Sequence, residues 1–176
     1  MKLYKQLSTV IFLICATTSS CSAQTQPAKC DSQEHRQFDF WVGDWVVSDR
    51  AGNIQGHNII ELILYNCTLL ENWRGTQGSE GKSFNFYDRA TQQWHQTWID
   101  KSGGVLYLNG GLVDNAMVLA GERPGKDGRL VLHEIRYMPL DGGIVEQHWR
   151  FSKDNGKSWQ DLFLGIYKKK SSSGAM

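Results

Sequence analysis

Turn-forming residues recur at short, even intervals along most of this chain, and that spacing constrains the fold more than any other feature. Clusters run from Asp49 to Gly52, Gly75 to Gly81, Lys101 to Gly104, Gly110 to Asn115, Arg123 to Gly128, Pro139 to Gly143 and Asp154 to Gly156. Glycine supplies positive φ and Asp caps turn amides, so each cluster is a device for reversing the backbone. No helical apolar stripe of useful length lies between them, which favours an all-β meander over anything with crossover helices. The segments read as about ten strands, over residues 44–49, 57–65, 67–74, 81–88, 93–100, 104–109, 116–121, 129–138, 144–152 and 159–168. Pro27, Pro124 and Pro139 fall outside the strand cores, as ladder donors require. Antiparallel strands in sequence order either close or leave an edge, and closure removes the edge. The expected fold is therefore an antiparallel up-and-down β-barrel, and a closed barrel has an inside.

Just before the first strand, Phe38-Asp39-Phe40-Trp41-Val42-Gly43-Asp44-Trp45 packs four aromatic rings, two acids and a glycine into eight residues. Trp41 and Trp45, at i and i+4, suit one turn of short helix, and Gly43 lets the chain swing from it into the extended run. Such a turn closes one end of a barrel. Gly43-x-Trp45 resembles the G-x-W signature of calycin (lipocalin-like) barrels, and the whole phrase resembles the bacterial DUF1579 group. Glu71-x-Trp73, Ser83-x-Asn85-x-Tyr87, Trp94-x-Gln96-x-Trp98 and Gly165-x-Tyr167 are similar to that group too, so the likeness spans roughly residues 30–168. It implies a calycin-like domain with a ligand-sized cavity, such as the nitrobindin-type haem barrels keep. The haem group's G-x-W-x-G-x-G phrase is absent, since Val47 and Asp49 stand where its later glycines would be. That departure argues against haem, and no cofactor is expected.

At 176 residues and 40% hydrophobic, the chain can bury one sizeable core, and nothing asks for a second domain. Residues 1–23 read as an export signal, with Lys2 and Lys5 preceding the apolar run Val10-Ile11-Phe12-Leu13-Ile14-Cys15-Ala16. That run is far shorter than the ~20 residues of a membrane span. Cleavage after Ala23 would release a soluble protein, whereas Thr18-Ser19-Ser20-Cys21 also resembles a lipobox with Thr where Leu is usual, which would place a lipid anchor at Cys21. Soluble export is favoured, and either route ends in an oxidising envelope compartment, periplasmic or secreted. Without the signal and its two lysines the formal charge moves from +1 to −1, so nothing draws the protein to nucleic acid. Cys30 and Cys67 then remain beyond Cys21, a pair expected as a disulfide contributing about 3 to 4 kcal/mol through the loop it closes. A metal site is the sharper alternative, but two thiols without a C-x-x-C pair are poor evidence for one. The polar residues 169–176 read as a disordered tail.

Two hairpins decide which side chains point inward. Around Asp88 to Gln93, a four-residue loop sets Tyr87 opposite Trp94, Asn85 opposite Gln96 and Ser83 opposite Trp98, ring against ring and amide against amide. Around Pro139 to Gly143, a five-residue loop sets Arg136 opposite Glu146 and Glu134 opposite His148, charge pairs suited to an outer face. His133, Ile135, Tyr137, Val145, Gln147 and Trp149 then turn inward. The expected interior set is Glu71, Trp73, Ser83, Asn85, Trp94, Gln96, Trp98, His133, Gln147 and Trp149, with Tyr107 from the sixth strand. A purely structural interior would be Val, Leu and Ile. Buried amides, a carboxylate and indoles cost free energy unless each polar group is partnered, and a ligand or ordered water is the natural supplier.

The set therefore reads as the site of a small, partly apolar molecule, with rings for area and a few polar groups for orientation. The plainer alternative is that the polar groups satisfy one another in a wet cavity, or that the barrel is filled and serves a structural or partner-binding role. Glu71 and His133 could act together as acid and base if they share the cavity, although a salt bridge or a bond to an indole N–H is the simpler role for Glu71. No nucleophile elbow, P-loop or dinucleotide fingerprint is present. His133 and His148 fall on opposite faces, so they cannot share a metal. Ser152-Lys153-Asp154-Asn155-Gly156-Lys157-Ser158-Trp159 resembles the Asp-box of sialidase-type propellers, but it occurs once and reads as a capped hairpin turn.

Overall fold

The computed structural model describes residues 30–171; the expected export signal and the lipid anchor at Cys21 lie outside the described residues. Ten strands follow one another: β1 (Gly43–Ser48), β2 (Ile54–Ile63), β3 (Thr68–Gly75), β4 (Glu80–Asp88), β5 (Gln93–Asp100), β6 (Val105–Val113), β7 (Ala116–Pro124), β8 (Leu130–Leu140), β9 (Ile144–Ser152) and β10 (Gln160–Lys169). Each pairs antiparallel with its chain neighbours, and β1 pairs with β10, so the sheet closes into a barrel without an edge. No helix among the described residues is long and apolar enough to cross a membrane.

A one-turn helix, α1 (Gln33–Arg36), and a 3-10 turn over Asp39–Trp41 precede β1 and cover one end of the barrel. Phe38 and Trp41 are fully buried there, stacked with centroids 5.0 Å apart. Phe38 meets Trp94 edge-on at 5.6 Å, and Trp41 lies 4.6 Å from the ring of Tyr137. Burying rings of this size stabilises the closed end by roughly 2 to 3 kcal/mol each. Gly43 makes the swing into β1 with a φ of 150°, and the Trp45 indole N–H donates back to the Trp41 carbonyl at 2.8 Å. The Cys30–Cys67 disulfide ties this segment to the β2–β3 turn across 37 residues of sequence, which removes roughly 4 kcal/mol of loop-closure freedom from the unfolded chain.

Several strand ends differ from the sequence expectation, each for a local reason. β2 stops at Ile63, because Leu64, Tyr65 and Asn66 all take left-handed backbone, with φ of 51°, 56° and 66°. β6 runs through Gly110 and Gly111 to Val113, and the reversal is made by Asp114 and Asn115 alone. A Cβ on Gly110 would sit 2.1 Å from the Val118 carbonyl oxygen, so this glycine permits close strand approach where a turn was expected. Pro139 lies inside β8, but beyond the last pair with β7, Met117 with Tyr137, so its missing N–H breaks no ladder. Lys168 and Lys169 belong to β10, paired with Val46 and Trp45, so the strand takes the start of the expected tail.

The β8–β9 connection is three residues, Asp141–Gly143, and the expected register is corrected by two: Arg136 faces His148 and Glu134 faces Arg150. Glu134 and Arg150 form the outer ion pair at 2.7 Å, while Glu146 pairs with Arg50. Because side chains alternate with a period of two, this slip leaves every inward residue inward.

Candidate functional site

Strand pairing stacks the interior in tiers. Nearest the closed end, Leu69, Trp94, Val145 and the rings of Tyr137 and Tyr167 pack with the helical plug. Above them a continuous ring of hydrogen bonds crosses the barrel. Glu71 accepts from Asn58 at 2.8 Å on one oxygen and from Ser83 at 2.6 Å on the other. Asn58 also donates to the Tyr167 hydroxyl at 3.3 Å, and Tyr167 donates to the Gln147 carbonyl oxygen. The Gln147 amide donates to the Tyr137 hydroxyl at 3.4 Å, which also accepts from Gln96 at 3.0 Å. Gln96 donates to the Asn85 carbonyl oxygen at 2.8 Å, and Asn85 returns to Ser83 at 2.8 Å. Eight side chains from seven strands thus answer one another, which is how a polar layer survives inside a barrel. Two buried acceptors are left over, Asn58 Oδ1 and Gln96 Oε1.

Over the ring lies a cavity of about 620 Å³, open at the end opposite the plug. Trp73, Trp98, Trp149, Phe163, Leu106 and Ile135 wall it, and Glu71, Gln96, Gln147, Tyr137 and Tyr167 form its floor. The hollow exists because two glycines admit indoles into the barrel wall. A Cβ on Gly56 would lie 2.6 Å from Trp73 Cη2, and one on Gly81 would lie 2.3 Å from Trp98 Cζ2. The Trp73 N–H is fixed by Ser79 at 3.0 Å, and the Trp149 N–H by His133 Nδ1 at 3.2 Å. Gln55, Gln77, Glu80, Asp100, Lys101 and Ser102 surround the mouth.

Burial dominates the electrostatics. It pushes the Glu71 carboxyl up to about 7, with the bonds from Ser83 and Asn58 opposing the rise. Tyr137 and Tyr167 are driven well above the ordinary phenol value, first by burial and then by the nearby Glu71 charge, so both stay neutral. His133 is lowered by burial and by Arg123, in keeping with a neutral ring whose Nδ1 accepts the Trp149 N–H. Glu71 is therefore the group of the floor that titrates near neutrality.

Of the residues expected inside, Glu71, Trp73, Gln96, Trp98, Gln147 and Trp149 line the cavity. Ser83 and Asn85 are fully buried in the ring beneath it. Trp94 lies lower still, its N–H donating to the Glu34 carbonyl and the Gln37 side chain, each at 3.2 Å, so it belongs to the plug. The expectation for Tyr107 is overturned: it pairs with Thr97 on the outer face and is 65% exposed, while its neighbours Leu106 and Leu108 point inward. His133 is buried but lines a different hollow, a groove with Arg123, Lys126 and Phe151, so it does not share the cavity with Glu71. Among the described residues, no three of His, Cys, Asp and Glu converge as metal ligands. Asn58 was missed because β2 was read through Leu64 and Tyr65, which hid the β2–β3 register; Tyr167 stood in the Gly165-x-Tyr167 phrase, and Tyr137 was placed inward without being carried into the site.

The single Asp-box segment is the capped turn it was read as. Asp154 accepts from the Ser158 amide at 2.8 Å and the Ser158 hydroxyl at 2.6 Å, and Trp159 packs under Arg150 at 4.3 Å. No protein-family model matches the sequence. No curated protein matches it either.

Proposed function

We propose that this chain is an exported carrier or sequestering protein that holds a small, partly apolar molecule in its tryptophan-walled cavity. The observation that carries the reading is a hollow of about 620 Å³ with aromatic walls, open to solvent at one end and floored by fixed polar groups. A ligand pocket has that combination of apolar area and a few oriented polar atoms. The G-x-W likeness to calycin barrels supports the same reading, and the Cys30–Cys67 disulfide suits an oxidising compartment outside the cytosol. Glu71, buried at the floor and titrating near neutrality, favours a second reading, proton transfer on a substrate held in the cavity, without His133 as its partner.

Titration with the neutral fluorophore N-phenyl-1-naphthylamine, followed by energy transfer from the indoles, tests the first reading. Saturable binding at micromolar concentration, weakened by filling the cavity through Leu106→Trp at its wall, is the expected result. A fluorophore that stays in water with the folded protein would remove the reading. Mass spectrometry of an organic extract of the native protein identifies any molecule carried through purification.

A further inference from the structure

The cavity floor lacks a positive charge. Among the described residues Glu71 enters no ion pair, and its two hydrogen-bond donors, Asn58 and Ser83, are neutral. The ionisable groups packed on it are Tyr167 from β10 and Tyr137 from β8, neither of which can offset a carboxylate. Beside it, Gln96 is 2% exposed, faces the cavity, and keeps its Oε1 without a donor. At the mouth the charged residues are Glu80, Asp100 and Lys101, and Glu80 is paired with Arg74 at 3.7 Å, so the mouth adds no net charge of either sign. Asp100 is held below the usual carboxylate range by its bonds to Ser102 and Gly104. Between mouth and floor, three indoles and the Phe163 ring stand beside Leu106 and Ile135, and the aromatic faces attract an organic cation through their π-electrons.

We propose that the cavity selects an organic monocation, an alkyl- or aryl-substituted ammonium whose apolar body lies against Trp73, Trp98 and Trp149 and whose charge is met by Glu71. The proposal rests on the ligand-binding reading above and narrows it to a chemical class. In the absence of a cation, burial keeps the Glu71 proton until about pH 7; a cation over the floor favours the ionised form, so binding and deprotonation are linked.

Benzyltrimethylammonium and neopentylbenzene, its uncharged isostere, separate charge from shape. Each is titrated into the wild-type protein by calorimetry and indole fluorescence at pH 6 and pH 8, with N-phenyl-1-naphthylamine as the report on access to the cavity. The cation is expected to bind more tightly than the isostere, with affinity rising about tenfold from pH 6 to pH 8 as Glu71 passes from mostly protonated to mostly ionised. The isostere is expected to show no such rise. In Glu71→Gln the ratio of cation to isostere affinity falls by about tenfold or more, and its pH dependence disappears. Equal or tighter binding of the isostere, or a cation affinity flat between pH 6 and pH 8, overturns the proposal while leaving a neutral-ligand carrier standing. Exclusion of all three compounds overturns both. Should Glu71→Gln fail to fold, the wild-type comparison decides alone.

Discussion

Replacing Glu71 by Gln measures what the buried carboxylate costs the fold. The folded chain holds this proton to about pH 7, against an ordinary value of 4.5. At about 1.4 kcal/mol per pH unit, that gap amounts to about 3 kcal/mol. Between pH 4.5 and 7 the folded state keeps a proton that the unfolded chain has lost, so this group makes stability fall as pH rises through that window. Below it both states are protonated and above it both are ionised, so its contribution is then level. Glutamine carries no such proton and fits the ring. Its carbonyl can accept from Ser83, and its amide can donate to Asn58 Oδ1, now without a donor, once the Asn58 amide turns over. Urea unfolding of both proteins at intervals from pH 4.5 to 8.5 is the assay, read as the difference between them, because every other titrating group is common to both. The stability of Glu71→Gln relative to wild type should climb by about 3 kcal/mol across the series. A difference that does not change with pH would show that the carboxyl is not desolvated as the geometry implies.

Gly81→Ala places a Cβ 2.3 Å from Trp98 and 2.8 Å from the Ile99 carbonyl oxygen; since the backbone cannot yield, a loss of roughly 1 to 3 kcal/mol in urea unfolding and weaker fluorophore uptake are expected. The double variant Cys30→Ser, Cys67→Ser should lower unfolding stability by roughly 4 kcal/mol, and a loss below about 1 kcal/mol would mean the plug holds without its covalent tie. Asp154 should titrate at about 2 by carboxyl NMR, and the support it gives the turn, present above its ordinary value of 3.8, should fade as pH falls through about 2. Asp154→Asn should lose that acid-side dependence, checked by thermal melts from pH 5 down to pH 2.

The barrel could be read from the chain because its information is local. Turn chemistry marks the reversals, and alternation within strands fixes which residues share a face. The Asp88–Gln93 hairpin came out in the expected register since a four-residue loop separates two strands whose facing side chains match, Tyr87 with Trp94 and Asn85 with Gln96. The Pro139–Gly143 hairpin slipped by two because Glu134 finds an opposite charge in either register, His148 or Arg150, and proline was taken for the end of a strand. Parity survived, and so did the interior assignment of Gln147 and Trp149. Tyr107 failed for the opposite reason. β6 carries leucines on one face and Tyr107 and Asn109 on the other, and aromatic character alone does not say which face is inside. The hydrogen-bond ring was legible in part: Asn85 and Gln96 were set opposite each other on adjacent strands, whereas the bond from Asn58 to Tyr167 joins residues far apart in sequence and forms only when β10 returns to β1.

That closure also gives the floor a direction. β2, β3, β4, β5, β8, β9 and β10 supply the bonded ring, whereas β6 and β7 face it with Leu106, Leu108, Met117 and Leu119. The polar members hold one another, so removing any one leaves a buried donor or acceptor without a partner at a cost of roughly 1 to 3 kcal/mol. The aliphatic arc can be trimmed without that penalty. The cavity between Trp73, Trp98 and Trp149 is therefore polar toward Glu71 and greasy along the wall that Leu106 supplies. On the proposed ligand-binding reading, a ligand's polar end is expected toward β3, because the opposite arc offers it no partner. Substitutions along β6 should accordingly alter how large a ligand fits, and substitutions in the ring should alter which ligand end is accepted.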